Sequence, residues 1–340
     1  MRLRTTLVAS LLLACSWARA DVSFNSAHVM VVDETSGEVL LKKNIGVAAP
    51  IASMTKLMTA MVVLDAQQDP DEELRIDAAD VDSLKHSRGG VRVGTVASRG
   101  SLLELALLSS DNRAASALAR SYPGGLQAFN AAMQRKIQAF GLDSTSIAEP
   151  TGLSPNNMSS AQDMITVLRA AARYPAIAQI TSQRSHAVLV SGRQKVFQNT
   201  NRLVGGSEWE VFVSKTGFTN EAGRCLGMLA RADGRTVAIV LMGAANPSGR
   251  LRDSMTIRRW LAAERLAGGA QSTGSRPPLM AARSHVTADD PGRQRAEGGM
   301  TESSAAPESR VRDSADGDTS DSVAEPTSAG GRGSSSSEAI

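Results

Sequence analysis

The chain has 340 residues, a formal net charge of +3 and 42% hydrophobic side chains, yet only 3% of its residues are aromatic. With no basic run and few rings to stack on bases, it is not expected to bind nucleic acid. Its two cysteines, Cys15 and Cys225, fall one in a leader and one in the body, so no internal disulfide is expected and the core alone must hold the fold.

Residues 1–20 carry Arg2 and Arg4, an apolar run from Leu7 to Leu13, and then Ala18-Arg19-Ala20. That is the anatomy of an export signal cut after Ala20, and the run is too short to span a bilayer. Leu12-Leu13-Ala14-Cys15 offers an alternative, lipidation at Cys15, with a weaker fit before the small residue. At the other end, residues 268–340 hold seven large apolar side chains (Leu279, Met280, Val286, Met300, Val311, Val323 and Ile340) and no aromatic. Such a stretch cannot offset its chain entropy and is expected to be a disordered polar tail. One large domain, residues 21–267, remains between them.

Within that domain, Ala27–Val32 and Val39–Leu41 are β-rich runs flanking the polar turn Asp33–Glu38, which predicts a hairpin. Pro50 should stop the extended chain. Ser53 to Ala66 is apolar on nearly every face beyond Lys56, as a central buried helix would be. A polar stretch over 67–100 contains Val91-Arg92-Val93, a short β-like piece. Leu102–Leu108 reads as a helix broken at Ser109-Ser110-Asp111-Asn112, and helical patterns follow over 113–120, 126–140 and 161–173. Val211–Ser214, Cys225–Arg231 and Thr236–Met242 predict an antiparallel meander, and Arg250–Ala267 an amphipathic closing helix. Strands at both ends with helices between them predict an α+β sheet with a helical insertion.

The chemistry has few candidates. Four scattered histidines (His28, His86, His186 and His285) make no metal-ligand spacing, so neither a metal nor another cofactor is expected. A Ser-His-Asp hydrolase would need a Gly-x-Ser-x-Gly elbow, which is absent. Ser53-Met54-Thr55-Lys56 is different. Residues three apart share a helix face, and a lysine in an apolar helix has a lowered pKa that lets it take the serine proton. Ser110-Asp111-Asn112 lies at the helical break, where a hydroxyl could relay a proton to a leaving amine and an amide could hold both Lys56 and a substrate backbone. Lys215-Thr216-Gly217 ends a strand, offering charge and hydroxyl to a carboxylate and a side-chain-free approach to the strand edge. Each triplet also has an ordinary reading: a capped helix start with a solvated Lys56, a helix cap, and an inner strand ending in a turn glycine.

In this order, the three triplets resemble the signature of penicillin-binding proteins and serine β-lactamases. Ile51–Ala60 is similar to the active-site helix of the low-molecular-weight penicillin-binding proteins, the D,D-carboxypeptidases and endopeptidases. So are Glu149-Pro150-Thr151-Gly152-Leu153, Lys215–Thr219 and Ala222-Gly223. The likeness runs from about Ala27 to Trp260 and leans toward the periplasmic D-alanyl-D-alanine endopeptidases. It implies a β-lactamase/D,D-peptidase-like α+β fold, an antiparallel sheet flanked by helices with an inserted all-α subdomain. It further implies peptidoglycan stem peptides as substrates, β-lactams as covalent inhibitors and a periplasmic location. Ser53 would be the nucleophile, Lys56 its base, and Ser110 and Asn112 the relay and positioning groups. Lys215, Thr216 and Gly217 would bind substrate. The oxyanion would sit on the backbone N–H groups of Ser53 and, carried over from the family, Phe218.

Both departures from the family concern the tail, which is longer than is expected of the endopeptidases and takes the place of another element. Anchored carboxypeptidases carry a β-rich domain and an amphipathic membrane helix where this chain has its polar tail, so no membrane anchor is expected once the signal is cut. Glu149-Pro150 invites a class A β-lactamase reading, but Gly152 intervenes and the Asn partner after Leu153 is missing. Phe218-Thr219-Asn220-Glu221-Ala222-Gly223 follows the peptidase pattern instead. A silent penicillin- or wall-binding module is the third reading. The leading expectation is cleavage of D-Ala–diaminopimelate cross-links, with a carboxypeptidase using the same site as the runner-up.

Overall fold

Alternating side chains build the centre of the molecule. In strands β1 (His28–Asp33), β2 (Val39–Lys43), β9 (Glu210–Thr219), β10 (Gly223–Ala232) and β11 (Arg235–Ala244), successive residues point to opposite faces. The computed structural model describes residues 22–272 except Arg88 and Pro247, with no side chain beyond Leu266, and these residues belong to one unit. The expected export signal and nearly all of the expected tail lie outside them.

The five strands form one antiparallel sheet in the order β2-β1-β11-β10-β9. Pairing of β1 with β11, His28 opposite Met242, joins the two ends of the domain. On one face Val29, Val31, Leu226, Met228, Val237, Ile239 and Leu241 pack against Ile257 and Leu261 of helix α7 (Gly249–Ser272). On the other, Met30, Val32, Cys225, Ala238, Val240 and Met242 join the larger helical core. Gly227 lets the second layer approach: a Cβ there would stand 3.3 Å from Leu168.

The remaining elements lie between β2 and β9. They are the two-residue strand β3 (Ala49–Pro50), α1 (Thr55–Asp65), β4 (Glu73–Arg75), β5 (Val96–Ser98), α2 (Arg99–Leu108), α3 (Asn112–Arg120), α4 (Gly125–Ala139), β6 (Met158–Ser159), α5 (Ala161–Ala171), α6 (Pro175–Thr181), β7 (Ser185–Val190) and β8 (Arg193–Gln198). This is the α+β arrangement expected, with the helical insertion between the two parts of the sheet. Nine of the eleven residues of α1 are buried, so it is the central helix that its all-round apolar sequence predicts.

Several local expectations change. Val91-Arg92-Val93 is not a strand, because its polar backbone is engaged elsewhere: Val91 donates to the Asp111 carboxylate at 3.3 Å and accepts from Arg113 at 2.7 Å. Pro50 does end the extended chain, as the last residue of β3, where it pairs with Met158. Helix α6 and the β7–β8 hairpin fall in a stretch for which no element was expected; the hairpin turns on Ser191 and Gly192, both with positive φ. Lys215-Thr216-Gly217 lies inside β9, not at a strand end, and β9 is the outer strand of the sheet, not an inner one. That last change matters chemically, since one side of β9 carries no neighbouring strand of this sheet. The closing helix also continues to Ser272, past the expected boundary at 267.

Candidate active site

Ser53 is carried on a single 3-10 turn, Ala52–Met54, immediately before α1. Ala52 adopts φ +47, a conformation costly for a residue with a Cβ. The turn is held from three sides. Ile51 N–H donates to the Asn157 carbonyl (3.0 Å), and the Thr55 hydroxyl returns to the Ala52 carbonyl (2.8 Å). Two glycines press against it: a Cβ on Gly152 would lie 2.0 Å from the Ala52 oxygen, and one on Gly217 would lie 3.0 Å from the Ser53 nitrogen. No larger residue fits either place, so both glycines are needed for close approach and not merely for turning.

One helical turn on, Lys56 is 1% exposed. Its Nζ donates to Ser53 Oγ (3.0 Å), Asn112 Oδ1 (2.7 Å) and the Thr151 carbonyl (2.6 Å). Burial brings its pKa down from 10.5 to about 8, opposed in part by the charges of Glu149 and Asp111. This is not a solvated lysine behind a helix cap: the residue at the N-cap of α1 is Met54, and it makes no capping bond.

The Ser-Asp-Asn triplet divides its labour. Asp111 is the true N-cap of α3, accepting from Ala114 N–H at 2.9 Å. That leaves its two neighbours for other work. Asn112 accepts from Lys56 Nζ through Oδ1, and its Nδ2 donates to Ser87 Oγ at 2.8 Å. Ser110, at φ +61, accepts from Lys215 Nζ at 2.8 Å. Lys215 is as buried as Lys56 and also donates to the Thr216 carbonyl at 3.1 Å. Burial holds its pKa well below the usual lysine value, and the charges of Lys56 and Arg250 add to that. Thr216 Oγ1 donates to Thr200 Oγ1 at 2.7 Å.

Ser53, Ser110, Thr200, Thr216, Gly217, Phe218, Arg224 and Arg250 line a cleft of about 250 Å³. Of the expected positions, Ser53, Ser110, Thr216, Gly217 and Phe218 line this cleft, and Lys56, Asn112 and Lys215 are tied to it through hydrogen bonds to Ser53, Lys56 and Ser110 respectively. Lys215 stands behind Ser110 and is not on the cleft wall; the cations that are on it are Arg224 and Arg250, which the sequence reading did not single out.

Three further contributors were given no role in the site from the sequence, although Glu149 and Thr151 lie in a segment that carries the family likeness. The Thr151 carbonyl holds Lys56, and it is in turn positioned by Glu149. The Glu149 carboxylate accepts from the N–H groups of Thr151, Gly152, Leu153 and Ser154, from the Thr151 hydroxyl and from Asn157 Nδ2. Asn157, fully buried, binds the Ala148 and Glu149 N–H groups and reaches Thr55 Oγ1 at 3.1 Å. Glu149 is thus the folding centre of its loop, with no lone pair left for activating water at Ser53. Cys225 is fully buried, as expected of a core strand residue, and burial pushes its thiol up to about 11.

Comparison with known proteins identifies the family. Residues 16–246 match the D-alanyl-D-alanine carboxypeptidase family, peptidase S11. The chain is 42% identical over 238 residues to a D-alanyl-D-alanine endopeptidase of Pseudomonas aeruginosa and 40% identical over 238 residues to one of Escherichia coli. In each case the match covers 69% of this chain and 77% of the relative. Among solved structures, the fold is similar to the Streptomyces K15 DD-transpeptidase, with a TM-score of 0.66, 23% identity and coverage of 71% of this chain and 98% of that one. On the triplets, the site they assemble and these matches together, the chain belongs to the D-alanyl-D-alanine carboxypeptidase family of serine D,D-peptidases.

Proposed function

We propose that this D,D-peptidase cleaves D-Ala–diaminopimelate cross-links of peptidoglycan, working through an acyl-enzyme on Ser53. The observation that carries the chemistry is the buried Lys56 ammonium 3.0 Å from Ser53 Oγ. Lys56 in its neutral form takes the hydroxyl proton as Ser53 attacks the D-Ala carbonyl. The N–H groups of Ser53 and Phe218 hold the oxyanion. Ser110 passes a proton to the departing amine, the amide bond breaks, and water later releases the acyl group. Thr216 and Arg250 receive the carboxylate beside the scissile bond, with Lys215 lending its charge through Ser110. The occupied carboxylate of Glu149 favours a slow-releasing peptidase over a β-lactamase, whose deacylation needs a free base.

Ser110→Ala tests the relay. Acylation by labelled penicillin is expected to slow by roughly 10²-fold or more, while the melting temperature moves by only a few degrees, since Asp111 and not Ser110 caps α3. A fall in stability with acylation intact would assign Ser110 to structure alone.

The choice of bond is tested by substrate competition. Purified enzyme given cross-linked dimers and pentapeptide monomers is expected to release monomers from dimers faster than D-Ala from pentapeptides, followed by chromatography. The reverse ranking would make it a carboxypeptidase with the same machinery. The open outer strand β9 and the likeness to the two endopeptidases support the first outcome.

The same reading places the enzyme in the periplasm after signal cleavage. Among the described residues, no helix is long and apolar enough to cross a membrane. N-terminal sequencing of the exported protein is expected to begin at Asp21; a lipidated start at Cys15 would replace this with a lipoprotein.

A further inference from the structure

The cleft at Ser53 does not end at Arg250. It continues, through shared walls at Thr200, Arg224 and Arg250, into a second groove of about 730 Å³ that adds Asn201 and Arg202. Three arginines therefore face one groove, and their proximity depresses the pKa of Arg250, after the larger effect of burial. None of the salt bridges among the described residues involves any of the three. Like charges left together without acidic partners oppose folding, and their natural complement is an anionic ligand.

The groove is also built to hold its shape. Asn199 fastens the loop by donating to the Thr181 and Gln183 carbonyls at 3.0 and 2.9 Å, and Asn201 Oδ1 accepts from Leu203 N–H at 3.1 Å. Arg224 stacks on the Phe218 ring at 4.1 Å, which fixes its guanidinium beside the nucleophile cleft. Asn201 is 5% exposed, and among the described residues its Nδ2 has no hydrogen-bond partner.

We propose that the Arg202–Arg224 groove is the leaving-group subsite and binds a second carboxylate on the departing stem peptide, beyond the one next to the scissile bond. This rests on the cross-link reading above and gives it a recognition element. A departing D-Ala has one carboxylate and cannot reach the groove while that group sits at Thr216. A departing stem peptide carries further carboxylates along its length and can. The groove therefore rewards cross-links over free D-Ala termini, without any change in the machinery at Ser53.

The test uses the full enzyme and two dimers, one with the departing stem's distal carboxylates free and one with them amidated. Wild-type enzyme is expected to cleave the free-acid dimer with a kcat/KM about tenfold above the amidated one, the difference residing in KM. Arg202→Gln should erase that difference, and Arg202→Lys should restore part of it. Arg202 is exposed, so the variants are expected to fold; penicillin labelling of Ser53 reports that the site is assembled. Equal rates on the two dimers with the wild-type enzyme, or a difference that survives in Arg202→Gln, would overturn the subsite. If wild-type enzyme takes the label yet cleaves only pentapeptides, the cross-link reading fails instead, and the two failures are told apart.

Discussion

Ser53→Ala is expected to abolish labelling by penicillin and to lower peptide cleavage by about 10⁴-fold or more, the scale on which removal of a nucleophile acts. The fold should survive the change. Ser53 Oγ accepts from Lys56, and without it Lys56 keeps Asn112 Oδ1 and the Thr151 carbonyl at 2.7 and 2.6 Å. The turn itself is held by backbone bonds and by the two glycines, none of which uses the hydroxyl. The loss of one partly exposed hydrogen bond costs about 1 kcal/mol, so denaturant midpoints should barely move. Mass spectrometry of the wild type should find one adduct, on the peptide containing Ser53. An adduct of the same mass on the Ala variant would move the nucleophile elsewhere, and Ser110 would be the residue to try next.

The parts of this molecule that were legible in the sequence are those whose physics is local. The β-rich run Val29-Met30-Val31-Val32 identifies a strand, whatever lies opposite it. The apolar surround of Lys56 likewise announces a buried lysine. What was not legible depends on partners far apart in the chain. Nothing around Thr151 says that its carbonyl ends on Lys56, 95 residues away. Nothing around Val91 says that its N–H is taken by Asp111, so a β-prone triplet became a loop. Ser110, Asp111 and Asn112 are all good helix caps, and only the fold decides which one caps and which two are released for chemistry. The groove arginines come from a loop, a strand and a helix start, and no periodicity links them. β9 reads as an ordinary strand from its residues; its place at the outside of the sheet is a property of topology.

The second large effect follows from the pKa of Lys56. A base must be neutral to accept the Ser53 proton, and a lysine at about 8 is neutral in roughly one molecule in ten at pH 7 and nine in ten at pH 9. The second-order rate of acylation by penicillin is therefore expected to rise close to tenfold per pH unit below 8 and to level off above it. Lys56→Arg keeps the charge but cannot give up its proton, so acylation should fall by roughly 10³-fold. Stability should move in the same direction with pH. The folded Lys56 sits below its unfolded value of 10.5, so between about 8 and 10.5 the unfolded chain binds more protons than the folded one, and unfolding free energy rises with pH across that window. Below 8 both states are protonated and the cost of burying the charge is carried in full, on the order of 3 kcal/mol. Lys215 is depressed too and adds its own slope, so the comparison that isolates Lys56 is wild type against Lys56→Met. Removing the buried charge offsets the loss of partners for Asn112 and Thr151, so the variant should be about as stable as wild type at pH 7 and gain less on the way to pH 10. It should also be inert to penicillin. A wild-type acylation rate that stays flat from pH 6 to 9, or a Lys56→Met stability profile parallel to that of the wild type, would show that Lys56 does not hold the exchangeable proton. The instability of a charged Lys56 in the folded protein and its readiness to act as a base are the same physical fact, which is why the most reactive group at this site is also one of the costliest to bury.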